Sequence, residues 1–321
     1  MAEDSAVHPT VIVINLDRDT SRMQHMRAQL QRIGMPFRRF SAINGSALPA
    51  KLAPYFDGHC NALSAGEVGC YASHLAICQD IVAGRIPTPA LILEDDVELP
   101  LTLPQTLQRL LCALPDGWDI VRLSYPSKRA MLTAARLDDR FELVRYSQPP
   151  VSTGAYLLSR AGAQKFLTRT PRNIPIDHDL RRVWAWKLKT YGVAPPPVRA
   201  DALGVSSIDA MAPGARAQRW RSRRVRRQRF LESITRFQYG LMDFGPLRWL
   251  AVEMLNTFGR AVPRGPRRRL FNWARQAWGW QGKAPDSLKQ AAAPSHIHAV
   301  GVLPDAAHAL ERRTLRRGGR S

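Results

Sequence analysis

Cysteine is scarce in this chain of 321 residues. The four thiols, Cys60, Cys70, Cys78 and Cys112, have none of the short paired spacings of a zinc site. Four are also too few to form a disulfide framework in a chain of this size, so a reducing, cytoplasmic compartment is expected. Long apolar runs are missing too: no window reaches the roughly 18 uninterrupted apolar residues of a spanning helix, and membrane contact is expected to be peripheral. Residues 1–10 contain acids and lack the basic start and apolar stretch of a secretory signal. No internal repeat is found. What is plentiful is core material, since 45% of the residues are hydrophobic.

Acids are also unevenly scarce. Residues 1–200 carry 24 Lys and Arg against 18 Asp and Glu, whereas residues 201–321 carry 23 against 8, within a total net charge of +21. A nearly balanced front and a strongly basic back predict a catalytic domain followed by a region that meets something anionic. The expected boundaries are 1–210 for the first domain, 211–281 for a basic, aromatic-rich helical extension, and 282–321 for an Ala-, Pro- and Arg-rich tail whose composition predicts disorder.

The front of the chain alternates strand and helix. Val11-Ile12-Val13-Ile14 is a β-branched run suited to a central strand, and Ser21 to Ile33 follows with Met23, Met26, Leu30 and Ile33 on one helical face, stopping at Gly34. Phe37 to Ile43 reads as a strand closed by Asn44-Gly45, Pro49 to Asn61 as loop, and Gly66 to Val82 as a helix ending at Gly84. Thr102 to Leu114 and Ala161 to Thr168 read as helices, and Trp118 to Ser124, Val144 to Tyr146 and Val151 to Leu158 as extended. The spacing predicts one helix over Ile176 to Tyr191, then an irregular or edge segment from Val193 to Asp201 with three successive prolines. This pattern predicts an α/β fold built on an open, mostly parallel sheet flanked by helices.

The most informative stretch is Leu91-Ile92-Leu93-Glu94-Asp95-Asp96-Val97, an apolar strand that ends in three acids. Adjacent carboxylates repel, and a strand tip that gathers them is compensated by a cation, a basic neighbour or solvent. In an open α/β sheet that tip borders the ligand crevice. Mg²⁺ or Mn²⁺ held by one or two carboxylates and a nucleotide diphosphate suits the pattern; so does a solvated strand end.

Four segments in order bear on the choice. They are Val11 to Arg18 with Arg22 just after; Leu63-Ser64-Ala65-Gly66-Glu67-Val68-Gly69-Cys70 leading to Ser73-His74-Leu75; Ala90 to Val97; and Ser152 to Arg160. Together they resemble glycosyltransferase family 25, the lipooligosaccharide-type and collagen-type sugar transferases, over residues 10–205. The resemblance implies a GT-A-like fold, a UDP-sugar donor, a divalent metal and inversion at the anomeric carbon. It further implies a hexose, galactose or glucose, delivered to a saccharide in lipopolysaccharide, lipooligosaccharide or another cell-surface glycan. One departure is visible: the family's Asp-Gly pair after the second strand is Asn44-Gly45 here.

On that basis Asp96 and Asp95 are the expected metal ligands, with Glu94 or Asp95 alternatively accepting a ribose hydroxyl. Asn15, Arg18 and Arg22 lie just past the first strand, where a base, ribose and phosphate would sit; Asn offers both donor and acceptor, and Arg pairs with phosphate. His74 is placed to contact a donor phosphate or orient a carboxylate, with a satisfied structural histidine as the alternative. Thr153 and Gly154 form an extended segment in which glycine lets a sugar approach the backbone. Asp177 and Asp179 are the candidate bases for an attacking hydroxyl; capping and first-turn stabilisation of a helix are the alternatives. Arg216 to Arg229, with eight arginines in fourteen residues, and the aromatics through Leu255 fit an anionic membrane surface over 216–255, in keeping with a location at the cytoplasmic face of the inner membrane. A packed helical extension, or a nucleic-acid-binding protein acting through this basic half, are the other readings.

Overall fold

Alternate residues of the first strand are apolar on both sides, which only a strand covered on both faces can bury. The computed structural model, which describes residues 8–56, 63–168, 172–199, 223–259 and 262–277, has this arrangement. Strand β1 (Thr10–Asn15) sends Val11 and Val13 into a core with α1 (Thr20–Arg32) and α3 (Leu103–Ala113). Its other residues, Ile12 and Ile14, pack with α2 (Ala65–Val82) and α4 (Arg160–Phe166) on the opposite face. Strand β3 (Ala90–Glu94) divides its side chains the same way, and its first four residues are fully buried.

The remaining strands are β2 (Phe37–Ser41), β4 (Ile120–Arg122), β5 (Met131–Arg136), β6 (Glu142–Tyr146), β7 (Ala155–Leu158) and β8 (Thr190–Ala194). Eight strands form one sheet in the order β2-β1-β3-β7-β4-β8-β6-β5. Strands β6 and β7 run against the other six, so four of the seven pairings are antiparallel. The expectation of a mostly parallel sheet is thereby corrected to a mixed one. Its physical origin is local: β5 and β6 are consecutive strands paired antiparallel, and β7 enters reversed between β3 and β4.

Two expectations near residue 180 are also corrected. The single helix over Ile176 to Tyr191 is instead two short turns, α5 (Ile176–Asp179) and α6 (Val183–Trp186), closed by Lys187 in the left-handed region at φ 51°. Beyond it, Thr190, Tyr191 and Val193 favour extended backbone, and β8 is an interior strand between β4 and β6 rather than an irregular edge. Its proline-rich sequel begins only after the last paired residue, Ala194.

Three further helices, α7 (Arg223–Phe244), α8 (Pro246–Phe258) and α9 (Arg264–Ala277), follow. Trp249, Val252 and Phe244 pack against Ala130 and Leu132 at the β5 end of the sheet. Asn256 accepts from the Ala130 backbone at 2.9 Å and donates to Ser147 at 3.1 Å, and Tyr239 donates to the Leu188 carbonyl at 2.8 Å. The extension is therefore docked on the sheet domain. Residues 216–222 of the arginine run, Cys60 and the tail 282–321 lie outside the described residues, and residues 223–229 belong to α7.

Candidate functional site

Strand register decides which polar groups meet. Parallel pairing sets Ile14 opposite Glu94 and Asn15 opposite Ser41, while the reversed β7 sets Ala155 opposite Leu93. Asn15, the acids after β3 and the Thr153-Gly154 segment before β7 are thus delivered to one edge of the sheet. The Glu94 amide seals the junction by donating to the Gly154 carbonyl at 2.9 Å.

Asn15 is buried and organises the first part of that edge. Its amide nitrogen donates to Asp95 Oδ2 at 2.7 Å and to the Asp19 carbonyl at 2.9 Å, and its Oδ1 accepts from Arg39 Nε at 3.0 Å. Arg22, on the first turn of α1, reaches Asp95 Oδ1 at 3.2 Å and lies 3.9 Å from Asp96 Oδ2. Burial raises the Asp95 pKa; the Asn15 hydrogen bond and the Arg22 charge oppose that rise without cancelling it. The Arg18 side chain is 62% exposed and lies 3.9 Å from Asp19. Of the three residues assigned to the turn after β1, two are joined to the acids and Arg18 stays on the rim.

Glu94 faces the other half. Thr153 Oγ1 donates to it, and His74 Nε2 lies 3.8 Å from the same Oε1. His74 is held through Nδ1, which shares a 2.7 Å hydrogen bond with the Tyr156 hydroxyl; its buried Nε2 has no hydrogen-bond partner. Burial would push the Glu94 pKa up, but His74, Thr153 and Arg122 outweigh it and hold the carboxyl below its ordinary value. Arg122, at the end of β4, is 2% exposed, with Nη1 lacking a hydrogen-bond partner and the guanidinium 5.9 Å from the Tyr156 ring centroid. Burial lowers its pKa, against the opposing influence of Tyr146, Tyr156, Asp177 and Glu94. A buried cation among these groups was missed by sequence reading. The signal was there: one arginine in the apolar strand Ile120-Val121-Arg122-Leu123.

The two candidate bases part company. Asp177 is half-buried in α5; it is not the cap of that turn, a place taken by Pro175, and its Oδ1 accepts from the His178 amide at 2.9 Å. Asp179 is 2% exposed and bound into a core knot: Tyr71 donates to Oδ2 at 2.7 Å, Arg182 to Oδ1 at 2.9 Å, and Arg172 lies 3.6 Å away. Arg172 is in turn enclosed by the rings of Tyr55, Tyr71, Phe166 and Trp186.

Glycines bring α2 close enough for His74 to reach this edge. A Cβ on Gly69 would stand 2.4 Å from the Ile43 carbonyl oxygen, and one on Gly45 would stand 1.9 Å from the Ala65 oxygen. Gly45 therefore serves packing, and its neighbour Asn44 closes the turn by accepting from the Ser46 amide at 3.0 Å. Ser64 and Glu67 form a reciprocal capping box, so Glu67 is used by the helix start.

Two donor sets suit a cation. Asp95 and Asp96 supply oxygen only, the chemistry of Mg²⁺ or Mn²⁺ sites completed by ligand phosphates. Asp95 is a buried acid whose charge is incompletely compensated, which a nearby divalent ion would favour. Cys70, His74 and Glu94 have ligand atoms within 4.8 Å of one another and form a softer set.

A layered α/β molecule with acids, amide and hydroxyl gathered at one sheet edge is the class defined so far. The chain belongs to glycosyltransferase family 25: that family's model, described as "Glycosyltransferase family 25 (LPS biosynthesis protein)", matches residues 8–180. It is similar to procollagen galactosyltransferase 1 of Danio rerio, 26% identical over 185 residues, covering 53% of this chain and 30% of that protein. Similarity to the inactive glycosyltransferase 25 family member 3 of Homo sapiens is 31% over 192 residues, covering 53% and 31%. A glycosyltransferase 25 family member of Drosophila melanogaster is 26% identical over 182 residues, covering 53% and 30%. The matches span less than a third of the length of these relatives.

Proposed function

We propose that this protein is an inverting, metal-dependent hexosyltransferase. It moves galactose or glucose from a UDP-sugar to a saccharide hydroxyl of lipopolysaccharide, lipooligosaccharide or another cell-surface glycan. The observation that carries the reading is the joining of Asn15, Arg22 and Asp95 into one hydrogen-bonded unit beside Asp96, on the sheet edge that also holds Glu94 and Thr153. Membership of the family supports sugar transfer; one relative carries the word "inactive" in its name, so turnover is a separate question from binding.

Each residue has a task on this reading. Asn15 fixes the rotamer of Asp95 and Arg22 limits the repulsion between Asp95 and Asp96, so the acids are preorganised rather than splayed. Asp96, with Asp95 behind it, would hold Mn²⁺ or Mg²⁺, which when bound supplies charge neutralisation to a departing diphosphate. Glu94 and Thr153 accept and donate hydrogen bonds to sugar hydroxyls, and Gly154 leaves space at the backbone. Asp177 takes the proton from the acceptor hydroxyl as its oxygen bonds the anomeric carbon and the bond from that carbon to the diphosphate oxygen breaks. Acceptor attack on the face opposite the leaving group gives inversion.

The test is UDP release from a panel of UDP-hexoses with saccharide acceptors in Mn²⁺. Native protein is expected to turn over one donor, and Asp96→Asn to lose transfer by at least about a hundredfold while melting normally. Full activity of Asp96→Asn together with full activity in EDTA would remove the metal from the proposal. Nucleotide binding without turnover on any acceptor would instead describe a scaffold.

A further inference from the structure

Large apolar side chains left in solvent are not spread over this molecule. Among the described residues nine are exposed, and all but Leu101 lie in α7, α8 or α9. Helix α8 is apolar on two sides. Trp249 and Val252 face the sheet domain and are 1% exposed, whereas Leu247, Leu250, Met254 and Phe258, at intervals of three and four residues, line the outer side. Leu247 is 84% exposed and Phe258 64%; Met242 before the helix and Trp273 in α9 are exposed in the same way. A surface helix ordinarily turns polar residues outward, so this second stripe calls for a partner.

Charge identifies that partner. Residues 223–277 contain thirteen arginines and three acids. All three acids are already engaged: Glu232 with Arg182, Asp243 with Arg145 and Glu253 with Arg236. Two of those pairs are spent on docking the extension to the sheet domain. Helix α9 has no acid at all, and Arg267 to Arg269 stand together on it. A second copy of the chain would bring like charge against like charge. Nucleic acid would meet the arginines but has no use for a stripe of leucine, methionine and phenylalanine. An anionic bilayer offers phosphate to the guanidinium groups and acyl chains to the apolar side chains at once.

We propose that the outer face of α8, with Met242 and Trp273, is a membrane-docking surface that lays the protein on an anionic lipid leaflet. No described helix is long and apolar enough to cross a membrane, in keeping with a surface-lying mode. The inference goes beyond the sugar chemistry and stands or falls without it. It narrows the contact expected from the sequence, arginines and aromatics over 216–255, to one apolar face of α8 with Met242 and Trp273 beside it.

The experiment is co-sedimentation of the full chain with vesicles of phosphatidylglycerol and phosphatidylethanolamine, and with phosphatidylcholine alone. Native protein is expected to partition onto the anionic vesicles only. Leu247→Glu combined with Met254→Glu is expected to lower that partition by more than about tenfold, with Phe258→Glu, at the end of the same stripe, acting in the same direction. Leu101→Glu, on the sheet domain, is expected to bind as native does, and melting temperatures show that the variants fold. Native-like partition of the double and Phe258 variants would overturn the proposal, leaving a purely electrostatic contact. It is equally overturned if native protein ignores anionic vesicles, whether it forms a dimer that the double variant dissolves or binds nucleic acid instead.

Discussion

Asp177 is half-buried within the electrostatic reach of Arg122, whereas Asp179, two residues on, is buried with one carboxylate oxygen on Tyr71 and the other on Arg182. The sequence named both as candidates with Asp177 ahead; their partners separate them. A base must be open to the hydroxyl it deprotonates, while a carboxylate that balances buried Arg172 must not be. Asp177→Asn is expected to lower kcat by about a hundred- to ten-thousand-fold with little change in melting temperature. Asp179→Asn is expected to lower stability by about 3 kcal/mol and to leave transfer by the folded fraction much less affected. Denaturant titration beside initial-rate measurement checks both, and a reversed pattern would exchange the roles. The acids at the β3 tip were legible as a group in need of compensation by a cation, a basic neighbour or solvent, and Arg22 is such a neighbour. Arg39 and Arg122 were not legible, since each reaches the site from another strand and neither sits in a motif.

At the scale of elements, α2 shows how backbone packing serves the site. It lies so close to the Ile43 to Gly45 turn that Gly69 has no space for a methyl group, and His74, just over one helical turn later, reaches Glu94 and Tyr156 as a result. Gly69→Ala must push the two backbones apart, and a loss of about 1–3 kcal/mol is expected in thermal or urea unfolding. Stability equal to native would mean that the turn yields freely and that the approach is not specified by glycine. Strand β1, helices α1 and α3 and the acid-tipped β3 were readable from hydrophobic period, with Gly34 marking the end of α1. Strand β8 was not. Ile176, Leu180, Trp184 and Leu188, at helical intervals of four, carry a helical reading into it, and the prolines just after it mask the rest. Strand β5 was missed for the opposite reason: Met131-Leu132-Thr133-Ala134-Ala135-Arg136 is only weakly apolar and is partnered on one side.

At the scale of the molecule, the family match ends at residue 180, yet the sheet is closed in its middle by β8, whose residues lie beyond it. The basic extension then packs on the β5 end, away from the strands that carry Asn15 and Glu94. Charge asymmetry along the chain was legible, but which face of the extension packs on the sheet required the positions of Trp249, Asn256 and Asp243. At the front of the molecule, the edge formed by Asn15, Arg22, Asp95 and Asp96 is proposed to hold a nucleoside diphosphate together with a divalent cation. Calorimetric titration of UDP tests it without knowledge of the acceptor. One site per chain is expected in Mn²⁺, with affinity falling by at least about tenfold in EDTA and in Asp96→Asn. Equal UDP affinity under all three conditions, or no UDP binding in Mn²⁺, would contradict the account.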